Sequence, residues 1–309
     1  MRLKRASFRG VAGVPDLTLD LTDPQTGGAR ELFVVTGPAG SGKTRLLEAI
    51  VAAKEAIAPY GLFAPVEGWL AEDAAEAVVE LDFALDADEQ SFCESEGADV
   101  KARVVFAPEG ADAEVSEGVR ELLGRYEHDA RVGKMDYLPA NRALPPPGDA
   151  HGLSAMEQRL SRLGRDPDKY SFVPRLLVQA ATDPSDTELR PRLESALASV
   201  SRELRFVVHP SDPLRCLSYA GSEPVAPSEL GTTAAHALLV AATAALVRYD
   251  RSIVLLDRPE CAVEERSLGA FVRGLLALAP DVQLIVASSS PSLKAGLDGR
   301  AIHTLGAAA

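Results

Sequence analysis

The sequence contains few cysteines, and their placement excludes two kinds of site. Among its 309 residues are three cysteines, which lie far apart and form no CxxC pair. An odd number of widely separated cysteines supports neither a disulfide framework nor a zinc site. The pattern favours a reducing compartment such as the cytoplasm. The three residues are Cys93, Cys216 and Cys261.

Long apolar runs are also missing. The longest apolar stretch, Ala237 to Val247, is followed by Arg248 and is far shorter than the roughly 20 residues that a membrane span needs. Residues 1–10 (MRLKRASFRG) lack the apolar core of a signal peptide. Apolar residues nevertheless make up 46% of the chain, enough for a sizeable core. These features predict a globular, cytoplasmic protein without a membrane segment.

Positive charge is scarce. The chain has 32 basic and 45 acidic side chains, for a formal net charge of −13. Sequence-independent binding to nucleic acid depends on clustered Lys and Arg, which release counterions from phosphates. The one basic cluster also fits a solvated face of a strand. A nucleic-acid partner is therefore allowed, but the charge does not support it. The cluster consists of Arg2, Lys4, Arg5 and Arg9.

Hydrophobic periodicity predicts alternating strands and helices. Residues 86–96 are predicted to be an acidic turn between two antiparallel strands, and the last third is predicted to form a parallel sheet because strands there alternate with helices. The predicted strands are residues 2–8, 14–21, 31–36, 77–85, 100–106, 135–138, 205–208, 215–219, 252–256, 283–287 and 301–304. The predicted helices are 44–57, one between 114 and 131, 232–247 and 267–278, with others between 154 and 204.

One motif is specific. Residues 37–44 (GPAGSGKT) match G-x-x-x-x-G-K-[ST] between a predicted strand and a predicted helix. Its glycines allow backbone N–H groups to converge on phosphate oxygens at the start of a helix. Lys43 would neutralise the β- and γ-phosphates, and the Thr44 hydroxyl would be a Mg²⁺ ligand. The residues expected to bind nucleotide are Gly37, Pro38, Ala39, Gly40, Ser41, Gly42, Lys43, Thr44 and Arg45.

The predicted fold class is α/β: a P-loop NTPase with a parallel core sheet, an N-terminal antiparallel β subdomain and an inserted helical lobe. We expect residues 1–309 to form a single domain. Residues 1–110 would be the N-terminal lobe with the P-loop, 111–204 a mainly helical insertion, and 205–309 the C-terminal lobe.

Four further segments carry a family resemblance. Phe8–Gly10 (FRG) stands at the first turn, residues 136–142 read DYLPANR, residues 252–260 read SIVLLDRPE, and residues 283–291 read QLIVASSSP. Together with the P-loop, these segments resemble the ABC-type ATPases of the RecF, SMC and OLD group, which are bacterial AAA-family ATPases. Residues 252–260 are similar to the family's Walker B strand ending in DEPE, and residues 283–291 to its strand ending in TTHSP. The order of the segments matches over nearly the whole chain.

The resemblance implies a complete hydrolytic site. Asp257 would hold Mg²⁺ through water beside Thr44, and the residue after it would be a Glu that activates the attacking water. A His would contact the γ-phosphate, and a Ser-Gly signature segment on a second subunit would close over the same nucleotide. The implied cofactors are ATP and Mg²⁺, and the implied assembly is a homodimer or a heteromer with another ATPase or an effector subunit.

The sequence departs from this pattern beside the phosphates. Arg258 stands where the family has Glu, and a guanidinium cannot accept a proton near neutral pH. Losing a general base typically costs about 10²–10⁴ in rate. Ser289 stands where the family has His. Arg258 would either pair with Asp257 or Glu260 or contact the γ-phosphate. The candidates for a displaced base are Glu260 and a carboxylate of the inserted helical lobe.

The signature segment departs as well. Residues 230–236 (LGTTAAH) align with the family's LSSGE segment, which places Thr233 at the Gly and Ala234 at the Glu. An alternative register places Ser228 at the family's Ser and Gly231 at its Gly. Residues 263–265 (VEE) replace the family's LHP. Hydrolysis is therefore expected to be weak or missing.

Three functions are compatible with these observations. The leading hypothesis is an ABC- or SMC-like protein in which ATP is a structural ligand or slow switch for assembly. The second is an active ATPase that powers DNA repair or anti-phage defence. The third, a small-molecule kinase, is disfavoured because the arginines of residues 142–165 align with the helical insertion of ABC proteins and not with a kinase lid.

Overall fold

The computed structural model describes residues 1–61, 68–145, 152–183, 186–209, 211–219, 222–295, 297 and 299–306. It confirms the predicted α/β fold class. The strands are β1 (Arg2–Arg9), β2 (Leu17–Asp20), β3 (Leu32–Thr36), β4 (Ala77–Ala84), β5 (Asp99–Ala107), β6 (Gly110–Glu114), β7 (Met135–Leu138), β8 (Leu204–Phe206), β9 (Leu217–Tyr219), β10 (Ile253–Asp257), β11 (Gln283–Ser288) and β12 (Ile302–Thr304). The helices are α1 (Lys43–Ile57), α2 (Ala87–Cys93), α3 (Glu117–Gly124), α4 (Ala155–Ser161), α5 (Val173–Thr182), α6 (Leu189–Val200), α7 (Thr232–Val247), α8 (Glu265–Leu276) and α9 (Pro291–Ala295).

The parallel sheet lies at the centre of the molecule. Its strand order is β12-β3-β11-β10-β7, and each neighbouring pair is parallel. Strands β10 and β11 are buried along their full length, as expected for strands covered on both faces. Since parallel strands point the same way, the loops that follow β3, β11 and β10 meet at one edge of the sheet.

The second sheet is antiparallel and holds the P-loop helix against the first. Its strand order is β2-β1-β4-β5-β6. Helix α1 contacts β4, β5 and β6 of this sheet and also β10 and β11 of the parallel sheet. Its apolar residues Leu46, Leu47 and Ile50 are fully buried. The loop that precedes α1 is therefore fixed by a helix packed between both sheets.

Two local features of the N-terminal half differ from the predictions. The helix predicted between residues 114 and 131 is α3, but residues 110–114 form the unpredicted strand β6, which pairs with β5. Strand β6 (GADAE) has no large apolar residue because it lies exposed at the sheet edge, so periodicity cannot reveal it. Predicted turn 86–96 contains α2, whose first turn is closed by a reciprocal capping box between Asp86 and Glu89.

The predicted parallel sheet of the last third is only partly correct. Strands β8 and β9 form a separate antiparallel pair. They are consecutive in the sequence, so they can pair with each other locally. Strand β7, predicted at residues 135–138, pairs with β10 in the core sheet.

The helices after β7 are joined to the core by buried polar contacts. Asp136 in β7 is fully buried, and its Oδ2 accepts a hydrogen bond from the Tyr249 hydroxyl at 2.5 Å. Its Oδ1 lies 3.5 Å from Nε of Arg162, which is equally buried. Lys169 donates to the carbonyls of Arg162 and Gly164, each at 3.0 Å. Removing one partner of a buried ion pair is strongly destabilising, so these contacts fix the lobe beside β7.

The basic cluster of β1 is engaged by carboxylates. Arg2 lies 3.1 Å from Asp281, and Lys4 lies 2.7 Å from Asp99. This agrees with the interpretation of the cluster as a strand face. The three cysteines are free. None of the helices described is both long enough and apolar enough to cross a bilayer.

Candidate nucleotide-binding site

The loop between β3 and α1 has the curled backbone that its glycines predict. Gly40 and Gly42 have φ values of 80° and 87°, in the left-handed region. A Cβ at Gly42 would lie 2.2 Å from the carbonyl oxygen of Gly13, whereas a Cβ at Gly40 would meet nothing within 4 Å. Gly42 is therefore required twice, for its conformation and for the close approach of a neighbouring backbone.

Lys43 closes the loop on itself. Its buried ammonium donates to the carbonyls of Gly37 at 2.9 Å and Pro38 at 2.6 Å, and to Ser41 Oγ at 3.3 Å. Burial lowers the pKa of Lys43, and the neighbouring charge of Glu260 opposes this effect. The charge of Lys43 thus lies inside the ring formed by residues 37–43, where a phosphate would be enclosed.

Thr44 and Asp257 are brought together as the motifs predict. Thr44 Oγ1 donates to both carboxylate oxygens of Asp257, at 3.0 Å each. Asp257 ends β10 and is fully buried; burial raises its pKa, and the hydrogen bond from Thr44 opposes that rise.

This oxygen pair fits Mg²⁺, which prefers a few carboxylate or hydroxyl oxygens together with water and phosphate. No cluster of three His, Cys, Asp or Glu residues suited to a metal is found within the described ranges. A metal at Thr44 and Asp257 would therefore depend on oxygens of the nucleotide.

Arg258 faces the P-loop. Arg258 lines the same cavity of about 610 Å³ as the loop, and the residue is exposed. The ion pair with Asp257 or Glu260 that the sequence allowed is not formed, since Arg258 has no ion pair within 4.0 Å among the residues described. The cavity is lined by Ala12, Gly13, Ala39, Gly40, Ser41, Gly42, Lys43, Thr44, Arg45, Glu48, Arg258 and Ser289.

The carboxylate of Glu260 is already occupied. Its Oε2 accepts from Ser288 Oγ at 2.8 Å, and its Oε1 accepts from the backbone N–H of Ser289 at 2.9 Å. Glu260 thus binds the end of β11, where the resemblance places the family's His. Both oxygens would have to be released, or shared, before this group could orient a water molecule.

Arg45 turns away from the loop, although it lines the cavity. Its Nε donates to the Ala12 carbonyl at 3.2 Å, and its guanidinium also bonds the Gly68 carbonyl. The guanidinium carbon lies 3.9 Å from the centroid of the Trp69 ring, a cation–π geometry. Arg45 therefore ties α1 to the segment around Trp69.

The signature segment lies outside this cavity. Gly231 is the N-cap of α7 with φ −66°, an ordinary conformation that does not require glycine. Thr233 is exposed and its Oγ1 donates to the Ala262 carbonyl at 2.9 Å. Among the described lining residues, none comes from 228–236. Neither register places the segment over the P-loop of its own chain.

Sequence reasoning missed one buried residue that organises the edge. Arg142 donates through Nη1 to the carbonyls of Leu138 at 2.7 Å, Pro139 at 2.5 Å and Asp257 at 2.7 Å. Its Nε donates to His236 Nε2 at 3.0 Å. Arg142 thereby joins the ends of β7 and β10 to α7. The DYLPANR segment was the available signal, but no spacing rule indicates those partners.

The comparisons with known proteins identify the fold of the chain but assign it to no family. No protein-family model and no curated protein matches the sequence. Similar solved structures include an SMC head bound to the C-terminal winged-helix domain of ScpA, with 13% identity, a TM-score of 0.60, and coverage of 96% of this chain and 93% of that chain. A second is the SMC head domain from Thermotoga maritima, with 14% identity, a TM-score of 0.53 and the same two coverages.

A third is an Smc head domain with an extended coiled coil, bound to the C-terminal domain of ScpA, from Pyrococcus furiosus. It shares 12% identity at a TM-score of 0.58, over 96% of this chain and 92% of that chain. The chain therefore has the fold of SMC head domains. Sequence identities this low establish a shared fold only. The roles of individual residues are therefore inferred from the geometry described above.

Proposed function

We propose that the protein binds ATP with Mg²⁺ in the P-loop and uses the nucleotide as a structural ligand or slow switch for assembly, with hydrolysis weak or absent. The observation that carries this proposal is the residue after Asp257. Arg258 faces the phosphate-binding loop at the position of the family's general base, and a guanidinium cannot take a proton from water at neutral pH.

The state of Glu260 supports the same conclusion. Its two carboxylate oxygens accept hydrogen bonds from Ser288 and Ser289, so the nearest candidate base is engaged. The binding half of the site is intact: the loop is curled, Lys43 lies inside it, and Thr44 contacts Asp257. A ligand that binds only the folded state stabilises it by about 2.7 kcal/mol when present at 100 times its Kd, without turnover.

The exposed start of α7 supports assembly with a second subunit. Thr233 lies at the surface, away from the P-loop cavity of its own chain. Two of the similar SMC heads are bound to a domain of ScpA, which supports a partner-binding role for this fold. The proposed partner is a second copy of this chain or another ATPase or effector subunit, and the proposed location is the cytoplasm.

The test measures ATP binding and phosphate release side by side for wild type and Lys43→Ala. We expect micromolar or tighter binding by wild type, release of phosphate at background, and loss of binding in the variant. Gel filtration with and without ATP and Mg²⁺ would report assembly. Absence of ATP binding by folded wild-type protein would contradict the proposal.

The alternative is an active ATPase that powers DNA repair or anti-phage defence. One observation favours it: the Glu260 carboxylate accepts a hydrogen bond from the backbone N–H of Ser289, which lines the P-loop cavity, so the carboxylate lies near the phosphate site. Steady phosphate release by wild type that is lost in both Lys43→Ala and Glu260→Gln would support this function.

A further inference from the structure

The backbone of Arg258 is held in a conformation that is unusual for its type. Its φ and ψ are 45° and 60°, in the left-handed region that side chains with a Cβ rarely adopt. The Arg258 N–H donates to the Ala287 carbonyl at 2.8 Å, and the Arg258 carbonyl accepts from the Cys261 N–H at 3.1 Å. Such strain persists where surrounding contacts determine it, and it concentrates at ligand-binding sites.

The neighbours of Arg258 fix its position relative to the P-loop. Asp257, directly before it, contacts Thr44, and strand β11 separates β10 from β3 in the sheet. Arg258 therefore follows directly on the Thr44–Asp257 pair and lines the cavity together with the loop. In P-loop sites the metal bridges the β- and γ-phosphates, so the side of Asp257 is the side of the terminal phosphate.

The other cations of the cavity already have protein partners. Lys43 donates to carbonyls of its own loop, and Arg45 is held by Ala12, Gly68 and Trp69. Within the described part of the chain, Arg258 is the lining cation without an ion pair or a side-chain hydrogen bond. Its guanidinium can present two parallel N–H groups to one phosphate, which the point charge of a lysine cannot do.

From this geometry we infer that Arg258 binds the terminal phosphate of a nucleoside triphosphate held in the P-loop of the same chain and so distinguishes ATP from ADP. The inference depends on the proposed function and adds the regulation of that site. Arg258, which replaces the catalytic base, would hold the chain in its triphosphate-bound state. ADP would retain the contacts of its β-phosphate with the loop and with Lys43, and would lose the contacts that Lys43, the metal and Arg258 make to the γ-phosphate. The variant at Arg258 isolates the share of that residue.

The experiment compares the affinity for ADP with that for β,γ-imido-ATP, a non-hydrolysable analogue, by calorimetry in the presence of Mg²⁺. Wild type should prefer the triphosphate. Arg258→Gln should weaken triphosphate binding by about 10- to 100-fold, the range expected for a charge-assisted hydrogen bond, and change ADP affinity less than about twofold. Arg258→Lys should fall between the two.

Arg266→Gln is the matched control, since Arg266 is an exposed arginine on α8, 84% accessible, that lies outside the cavity. It makes the same change in charge and should leave the ratio of the two affinities unaltered. Thermal unfolding without nucleotide checks that Arg258→Gln is folded. In competition with tripolyphosphate and pyrophosphate, tripolyphosphate should compete more strongly for wild type, and its advantage should shrink in Arg258→Gln.

The outcomes separate the inference from the proposed function. If wild type and Lys43→Ala both fail to bind either nucleotide, the proposed function fails. If wild type binds, but Arg258→Gln keeps the wild-type ratio or loses both nucleotides equally, Arg258 does not distinguish the terminal phosphate and the inference is overturned. Equal competition by the two polyphosphates would also overturn it.

Discussion

Arg142 Nε donates a hydrogen bond to Nε2 of His236 at 3.0 Å, and both side chains are buried. The pair connects the carbonyl of Asp257, which Arg142 also binds at 2.7 Å, to the first turns of α7. An arginine is always a donor, so His236 must be the acceptor, and it can accept only as a neutral imidazole. The edge that would hold the metal and the helix that follows the signature segment are thus joined through one neutral histidine.

This pair predicts a loss of stability in acid. Burial, together with the charge of Arg142, lowers the pKa of His236 from 6.5 to about 3. Between these two pH values His236 is protonated in the unfolded chain and neutral in the folded chain. The free energy of unfolding therefore falls as the pH drops from about 6.5 towards 3. One such group changes the free energy of unfolding by up to about 1.4 kcal/mol per pH unit. Urea unfolding measured at pH 7, 6, 5 and 4 gives the curve.

His236→Gln is the informative variant because its side-chain oxygen can accept from Arg142 and does not titrate in this range. Burial also lowers the pKa of His128, to about 4, so the wild-type curve contains both histidines and the difference between wild type and variant isolates His236. The variant should have the shallower dependence on pH. Parallel curves would show that His236 is not a buried neutral acceptor.

Two glycines of the P-loop separate conformational strain from steric clash. Both have left-handed φ, but only at Gly42 would a Cβ collide with another backbone, at 2.2 Å from the Gly13 carbonyl oxygen. Gly40→Ala should cost about 1 kcal/mol of stability, in the range of the left-handed strain of one residue, and retain ATP binding. Gly42→Ala should cost more and abolish binding. Thermal unfolding and nucleotide titration of both variants check this; equal effects would contradict the assigned contact.

The fold was predictable where burial imposes a pattern. Strand β3, helix α1 and strand β10 place their apolar residues at spacings that only one type of element satisfies, and their predicted bounds agree with the structure to within a few residues. Strand β6 could not be found, because its edge position is maintained by backbone hydrogen bonds to β5 and leaves no apolar pattern. The sequence shows the capping box of α2 in Asp86 and Glu89, but a helix of seven residues rich in acidic side chains has the composition of a solvated turn.

The contact between Thr44 and Asp257 predicts a dependence of nucleotide affinity on Mg²⁺. Thr44→Ser retains a hydroxyl and should keep the dependence, whereas Thr44→Val should lose most of it, because a metal ligand is replaced by a methyl group of similar shape. ATP titrations with Mg²⁺ and with a chelator provide the comparison. If the Val variant responds to Mg²⁺ as strongly as wild type, the metal is not held at Thr44.

The sequence predicts the motifs of the candidate site but not the hydrogen bonds between its distant residues. The spacing of residues 37–44 specifies a loop, and a strand ending in Asp257 specifies an edge, so their meeting follows from parallel topology. The bonds from Arg142 to His236 and from Glu260 to Ser288 join residues 94 and 28 positions apart. Such pairs depend on how α7 and β11 pack, which no local pattern records.

The last prediction concerns turnover. Arg258→Glu places a carboxylate directly after Asp257, where the family has its base, and should raise phosphate release above wild type at saturating ATP. Only part of the 10²–10⁴-fold effect of a general base is expected, because Ser289 still replaces the His. Glu260→Gln should leave wild-type release unchanged, since that carboxylate is bonded to Ser288 and Ser289. Adding Lys43→Ala to Arg258→Glu controls for contaminating ATPases. If Arg258→Glu binds ATP and stays inactive, the absence of a carboxylate at position 258 does not account for the missing hydrolysis, and the prediction is wrong.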